Sequence, residues 1–157
     1  MSEYRILESP ETASLFLEVA ALDRRAWGGE PAAKYTPDGE HAWRVWAEYS
    51  YLAVAMSPTN EVVGVLLGFD TSAGEHFLHK MFIDERKRST GVGTQLLEHY
   101  CAFLDREHLT SVFSTAPTNT AVLHLSSKFG FVTDSLVADY YGPGKDRLLR
   151  RRAPQHS

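Results

Sequence analysis

The stretch Arg88-Ser89-Thr90-Gly91-Val92-Gly93 carries the clearest chemistry in this chain of 157 residues. It joins an apolar run, Phe77 to Ile83, to a long amphipathic segment, Thr94 to Glu107. Two glycines let the backbone turn tightly and approach a ligand closely. The helix that follows opens with unpaired N–H groups and the positive end of its dipole. A turn of this kind binds a phosphate or pyrophosphate.

Other reactive side chains are sparse. The single cysteine, Cys101, excludes an internal disulfide framework. It stands beside Tyr100 and near Phe103 in the amphipathic segment, where it reads as a small buried hydrophobe rather than a catalytic thiol. The one basic cluster, Arg147 with Arg150, Arg151 and Arg152, reads as a solvated strand end. A net charge of −4 argues against nucleic acid as the main partner. No apolar run approaches the roughly 18–20 residues that span a membrane. The opening Met1-Ser2-Glu3-Tyr4-Arg5 lacks the charged-then-apolar form of a signal peptide, so the expected compartment is the cytoplasm.

These residues need elements to hold them. Tyr4 to Glu8 suits a short strand, and Ser9-Pro10-Glu11 reads as a capped helix start. Leu15, Phe16, Val19 and Leu22 then recur at helical spacing, which predicts a helix from Pro10 to Ala26. Glycines and prolines make a loop of 27–39, and a second helix follows over Glu40 to Tyr49. Tyr51–Met56 and Val62–Phe69, parted by Ser57-Pro58-Thr59-Asn60, form a hairpin. Phe77–Ile83 is the next strand, made unusually polar by His79 and Lys80. Beyond the glycine turn come a strand over Ser111–Thr115 and a helix over Asn119–Phe129 ended by Gly130. Strands over Phe131–Val137 and Arg147–Arg151 complete the order. The pattern predicts one α/β (α+β) domain over residues 1–157, with a mixed, mostly antiparallel sheet of about seven strands and four flanking helices.

Three ligand classes compete for the turn. A P-loop needs a Lys and a hydroxyl after its last glycine, and no such Lys follows Gly93. A dinucleotide turn needs a third glycine, but from Gly91 the chain reads Gly-Val-Gly-Thr-Gln-Leu. An acyl-CoA turn meets neither objection. The blocks Leu78-His79-Lys80-Met81-Phe82-Ile83-Asp84, Arg88 to Leu97, and Asn119-Thr120-Ala121-Val122 with Lys128-Phe129-Gly130-Phe131 follow in order. Together they resemble the GNAT superfamily of acyl-CoA-dependent N-acyltransferases, over about Leu52 to Arg151.

The resemblance implies acetyl-CoA as the cofactor. The backbone from Arg88 through Ser89, Thr90, Gly91, Val92 and Gly93 to Thr94 would cradle its pyrophosphate. Met81-Phe82-Ile83 would pair with the pantetheine arm as an added strand. Asn119 would bind near the acyl end and Lys128 near the phosphates, although Asn119 equally suits a helix cap and Lys128 a solvated surface.

The resemblance also implies N-acetyl transfer to a primary amine, which needs a base for the amine and an acid for the thiolate. His79 is the candidate base. It matches the second of two strand histidines in the arylalkylamine acetyltransferases, while Phe77 occupies the first position. Two carboxylate bases used elsewhere in the family would fall at Phe77 and Ser114 and are absent. The family's acid Tyr is replaced by Ser126, which leaves His124, Tyr140 and Tyr141 as substitutes, with either Tyr able instead to bind the acceptor. Trp27, Glu30, Tyr35, Asp38, Glu40, His41 and Trp43 are the other candidates for an acceptor pocket, with cation–π attraction available to an ammonium group, although Trp43 equally suits the core and Glu40 a helix start. No residue set suggests a metal. A homodimer is expected by family analogy, and a non-catalytic acyl-CoA sensor is the alternative function.

Overall fold

The structure, a computed structural model, describes residues 3–27, 37–88 and 90–156. The elements are β1 (Arg5–Glu8), α1 (Phe16–Trp27), α2 (Glu40–Tyr49), β2 (Tyr51–Met56), β3 (Val62–Asp70), β4 (His76–Ile83), α3 (Val92–Arg106), β5 (Ser111–Thr115), α4 (Thr120–Lys128), β6 (Val132–Val137) and β7 (Arg147–Arg152). The strands follow the order β1-β2-β3-β4-β5-β7-β6 in one seven-stranded sheet. Adjacent pairs β1–β2, β2–β3, β5–β7 and β6–β7 are antiparallel, while β4 and β5 are parallel. The mixed sheet with four helices is the expected fold class.

The chain forms two compact units, Met1–Phe69 with His79–Tyr100, and Asp70–Leu78 with Cys101–Ser157. In the first, β2 is buried along its whole length, which explains why Tyr51–Met56 reads as continuous apolar sequence rather than alternation. Leu52 and Val54 of β2, Val65 and Leu67 of β3 and Phe82 of β4 share a buried cluster with Val19 and Leu22 of α1 and Trp43 of α2. Trp43 is completely enclosed, so its truncation to Ala costs about 3–5 kcal/mol. Trp43 is thus core rather than acceptor pocket.

The first helix starts later than its sequence suggests. Ser9 does not cap it. The Ser9 hydroxyl donates to the Ser50 carbonyl at 3.0 Å and accepts from the Leu52 amide at 2.8 Å. Thr12, fully buried, donates to the Leu52 carbonyl at 2.9 Å. These side chains extend the β1–β2 pairing, so the helical path begins only with a 3-10 turn at Ala13–Leu15. The hydroxyls that favour caps also favour any nearby backbone group.

In the second unit, Phe113 of β5 packs edge-on against Phe131 at 5.1 Å. The arginine cluster is not a solvated strand end. Arg150 and Arg152 are 5% and 3% exposed. Arg152 grips the Asp105 carboxylate through two N–H groups at 2.8 and 3.1 Å and donates to the Phe129 carbonyl at 2.6 Å. Arg151 reaches Glu75 at 2.9 Å. The guanidinium fork, with its apolar stem, makes burial possible wherever several acceptors converge. Cys101 is the buried small hydrophobe expected, its thiol pushed up to about 11 by burial.

Candidate functional site

The glycine turn joins β4 to α3. Asp84, just past β4, donates its amide to the Val63 carbonyl at 2.8 Å, which pins the turn to β3. Its carboxylate accepts from the Arg86 amide at 3.0 Å and the Arg86 guanidinium at 2.8 Å. The Arg86 hydrogen bond holds the Asp84 carboxyl below the usual range. Arg86 is therefore committed to the turn's own geometry, while Arg88 is exposed. Thr90 closes the loop by donating to the Lys87 carbonyl.

Gly91 supplies the backbone the turn needs. Its φ is +88°, a left-handed value that side chains resist, and a Cβ there would meet nothing within 4 Å. The space beside Gly91 is open. The Gln95 amide makes the helix's first bond, to the Gly91 carbonyl at 3.1 Å. The amides of Val92, Gly93 and Thr94 consequently lie outside the helical ladder at the positive end of a helix of 15 residues. Gly64 of β3 lets this helix end dock. A Cβ at Gly64 would stand 2.7 Å from the Val92 Cγ1 and 3.1 Å from the Leu96 Cδ1.

The strand leading into the turn carries His79. Its ring lies 5.0 Å from Trp46 of α2 and 5.7 Å from Phe69 of β3. Its Nε2 is 3.5 Å from the Asp38 carboxylate. Burial lowers the imidazole pKa, and Asp38 opposes that shift with a negative charge. The lowered value keeps His79 neutral near pH 7, the state a base requires.

A buried charge cluster stands behind this contact. Asp23 of α1, fully buried, accepts from the Trp43 indole at 3.0 Å, the Asp38 amide at 2.8 Å and the Lys80 ammonium at 2.8 Å. The same ammonium lies 2.9 Å from the Asp38 carboxylate. Sequence reasoning missed Asp23 and Lys80 as partners. The available signal was a charge inside an apolar stripe on each element, beside Val19 and Leu22 in one and between Leu78 and Phe82 in the other. A charge placed so must find a counter-ion when the stripe is buried.

The remaining candidates lie in the second unit. Asn119 caps α4, its Oδ1 accepting from the Val122 amide at 3.4 Å. Lys128 is exposed on the last turn of that helix. Ser126 is 3% exposed, donates to the Leu123 carbonyl at 3.3 Å and accepts from Arg150 at 3.1 Å. Tyr140 and Tyr141 stand edge-to-face at 4.7 Å, both exposed. The Tyr141 hydroxyl bonds the Ser114 hydroxyl at 2.7 Å, and Arg147 covers its ring at 5.2 Å. The parallel β4–β5 ladder consists of His76↔Ser111 and Phe77↔Val112, so it ends before Met81-Phe82-Ile83.

Of the acceptor candidates, His41 is exposed on the first turn of α2. Glu30, Tyr35 and the Trp27 side chain lie outside the described residues, as does Ser89 of the turn.

The sequence matches the family model described as Acetyltransferase (GNAT) family over residues 16–131. No curated protein matches it. Among solved structures, the ribosomal-protein-S18-alanine N-acetyltransferase from Escherichia coli superposes with a TM-score of 0.78 at 16% identity, covering 98% of this chain and 96% of that one. Ard1 from Thermoplasma volcanium gives 0.75 at 19% identity, with coverages of 99% and 100%. An aminoglycoside 6'-N-acetyltransferase complexed with coenzyme A gives 0.76 at 14% identity, with coverages of 98% and 99%. At these identities the structural likeness establishes the fold alone.

Proposed function

The chain belongs to the GNAT acetyltransferase family, and on that premise we propose that it moves an acetyl group from acetyl-CoA to a primary amine. The observation that carries this reading is the His79 imidazole, packed between Trp46 and Phe69 on the strand that runs into a glycine turn at the N-terminus of α3.

The residues present fit the cofactor. The open space at Gly91 and the amides of Val92, Gly93 and Thr94 suit a pyrophosphate, with Arg88 adding charge. Met81-Phe82-Ile83, beyond the end of the β5 ladder, suit the hydrogen-bonding edge that a pantetheine arm takes. Asn119 and Lys128 are proposed as further contacts. Acetyl-CoA supplies the activated thioester. His79 takes the proton that the acceptor nitrogen releases as it bonds to the acetyl carbon, and the carbon–sulfur bond breaks. Tyr141 rather than Ser126 is the proposed donor to the departing thiolate, since the Ser126 hydroxyl is enclosed and already engaged on both sides. Carboxylates and aromatic rings among the acceptor candidates, Glu30, Tyr35, His41 and Tyr140, would favour a cationic acceptor.

Free thiol released from acetyl-CoA across a panel of primary amines tests this reading. Release that depends on the amine, and that falls by about 10²–10⁴ in kcat for His79→Gln, is expected. Tight coenzyme A binding with no turnover on any amine would sink the proposal and leave the sensor.

A further inference from the structure

We propose that Asp38, clamped by Lys80, is a positioning residue that fixes the His79 imidazole with its proton on Nε2 and leaves Nδ1 to exchange protons with the substrate. The inference rests on the base role proposed for His79.

The geometry begins at Asp23. This enclosed carboxylate holds the Asp38 amide at 2.8 Å, so the backbone ahead of α2 is fixed in place. Lys80 bridges both carboxylates, 2.8 Å from Asp23 and 2.9 Å from Asp38. The short Lys80 contact is off the angle of a good hydrogen bond, because the buried Asp38 Oδ2 accepts none. That oxygen keeps lone pairs unused by any hydrogen bond and lies 3.5 Å from His79 Nε2, an electrostatic contact rather than a hydrogen bond. A lone pair on Nε2 would face the lone pairs of a buried carboxylate oxygen. A proton on Nε2 turns that repulsion into attraction. The proton therefore belongs on Nε2, and the neutral ring keeps its lone pair on Nδ1. Among the described residues Nδ1 makes no hydrogen bond.

Charge supports the same arrangement. Two carboxylates and one ammonium leave the cluster at −1 while His79 is neutral, and one proton on the imidazole brings it to zero. The groups facing the ring are Asp38 from the loop before α2, Lys80 on its own strand and Asp23 from α1. Trp46 of α2 and Phe69 of β3 bring only neutral rings. Asp38 and Asp23 favour the imidazolium, whereas burial and Lys80 oppose it. The imidazolium that forms as the amine is deprotonated thus has a counter-charge already in place.

Long-range 15N–1H NMR of the histidine side chains, in wild type and Asp38→Asn, tests the assignment. The wild-type spectrum is expected to show His79 as the Nε2–H tautomer, and this reading needs no variant. Asp38→Asn keeps the size of the side chain and its backbone amide. It is expected to mix the tautomers, to move the His79 titration to lower pH, and to shift the acid limb of kcat/KM the same way. Its kcat near pH 7 falls by about tenfold while KM for acetyl-CoA stays put. An Nδ1–H tautomer in the wild type, or a titration unmoved in Asp38→Asn, overturns the positioning role whatever the turnover. A moved titration with an unmoved pH–rate profile also overturns it. Wild-type turnover in His79→Gln removes the base role itself, and is told apart because the NMR result then stands without a kinetic counterpart.

Discussion

Two hydroxyls compete for the proton of the departing thiolate, and their surroundings separate them. Ser126 supports Arg150, whose guanidinium also donates to the Leu123 carbonyl, Ser127 and Thr133. Among the described residues Arg150 meets no carboxylate, so each neutral acceptor counts toward its burial. Ser126→Ala removes one of them and should lower unfolding stability by about 1–3 kcal/mol, read in urea, while kcat changes little. Tyr141→Phe, at an exposed site, should leave stability unchanged and reduce kcat by about tenfold in thiol release. A Ser126→Ala enzyme that is stable but inactive would return the acid role to Ser126. From sequence only the absence of the usual Tyr was visible. The reason is that Arg150 lies 24 residues away in the chain, and its place beside Ser126 depends on the β5–β7 pairing.

Two glycines act on one element, the N-terminus of α3, through different physics. Gly91 lies in open space at φ +88°, so Gly91→Ala meets strain without a clash and costs about 1–2 kcal/mol. Gly64 has ordinary backbone, but its Cβ would press to 2.7 Å on Val92. Gly64→Ala should cost about 1–3 kcal/mol and displace the helix start. Both variants should weaken coenzyme A binding in calorimetry by about tenfold or more, although Gly64 lies outside the turn itself. Unchanged affinity in Gly64→Ala would show that docking α3 on β3 does not set the turn. The Gly91 role was legible, because the glycine stands in a local motif between a strand and a helix. The Gly64 role was not, since nothing in Val62-Val63-Gly64-Val65 announces which helix residue approaches it. The same division holds elsewhere. Glu40–Tyr49 and Ser111–Thr115 are read correctly from periodicity and β-propensity. Ser9 misleads, since its long-range bonds to Ser50 and Leu52 outcompete the local cap.

The whole molecule should lose stability on the acid side in two stages. His76, 2% exposed and edge-on to Phe103 at 5.2 Å, has its pKa lowered by burial, as has His79. Each imidazole binds a proton less readily folded than unfolded, where its ordinary value is 6.5. Their contribution is therefore intact above pH 6.5 and declines as pH falls below it, because the unfolded chain takes up protons first. The second stage involves carboxylates. Arg152 holds the Asp105 carboxyl below its ordinary 3.8, and Arg86 does the same for Asp84. Those contributions are complete above pH 3.8 and vanish as pH falls through the lower folded values. Urea midpoints should thus be highest above pH 6.5, fall as the pH drops below that value, and fall again below about 4. His76→Gln should reduce the first decline and leave the second. A midpoint that stays flat as the pH drops below 6.5, or a first decline undiminished in His76→Gln, would mean that the buried imidazole of His76 does not set the acid sensitivity of the fold.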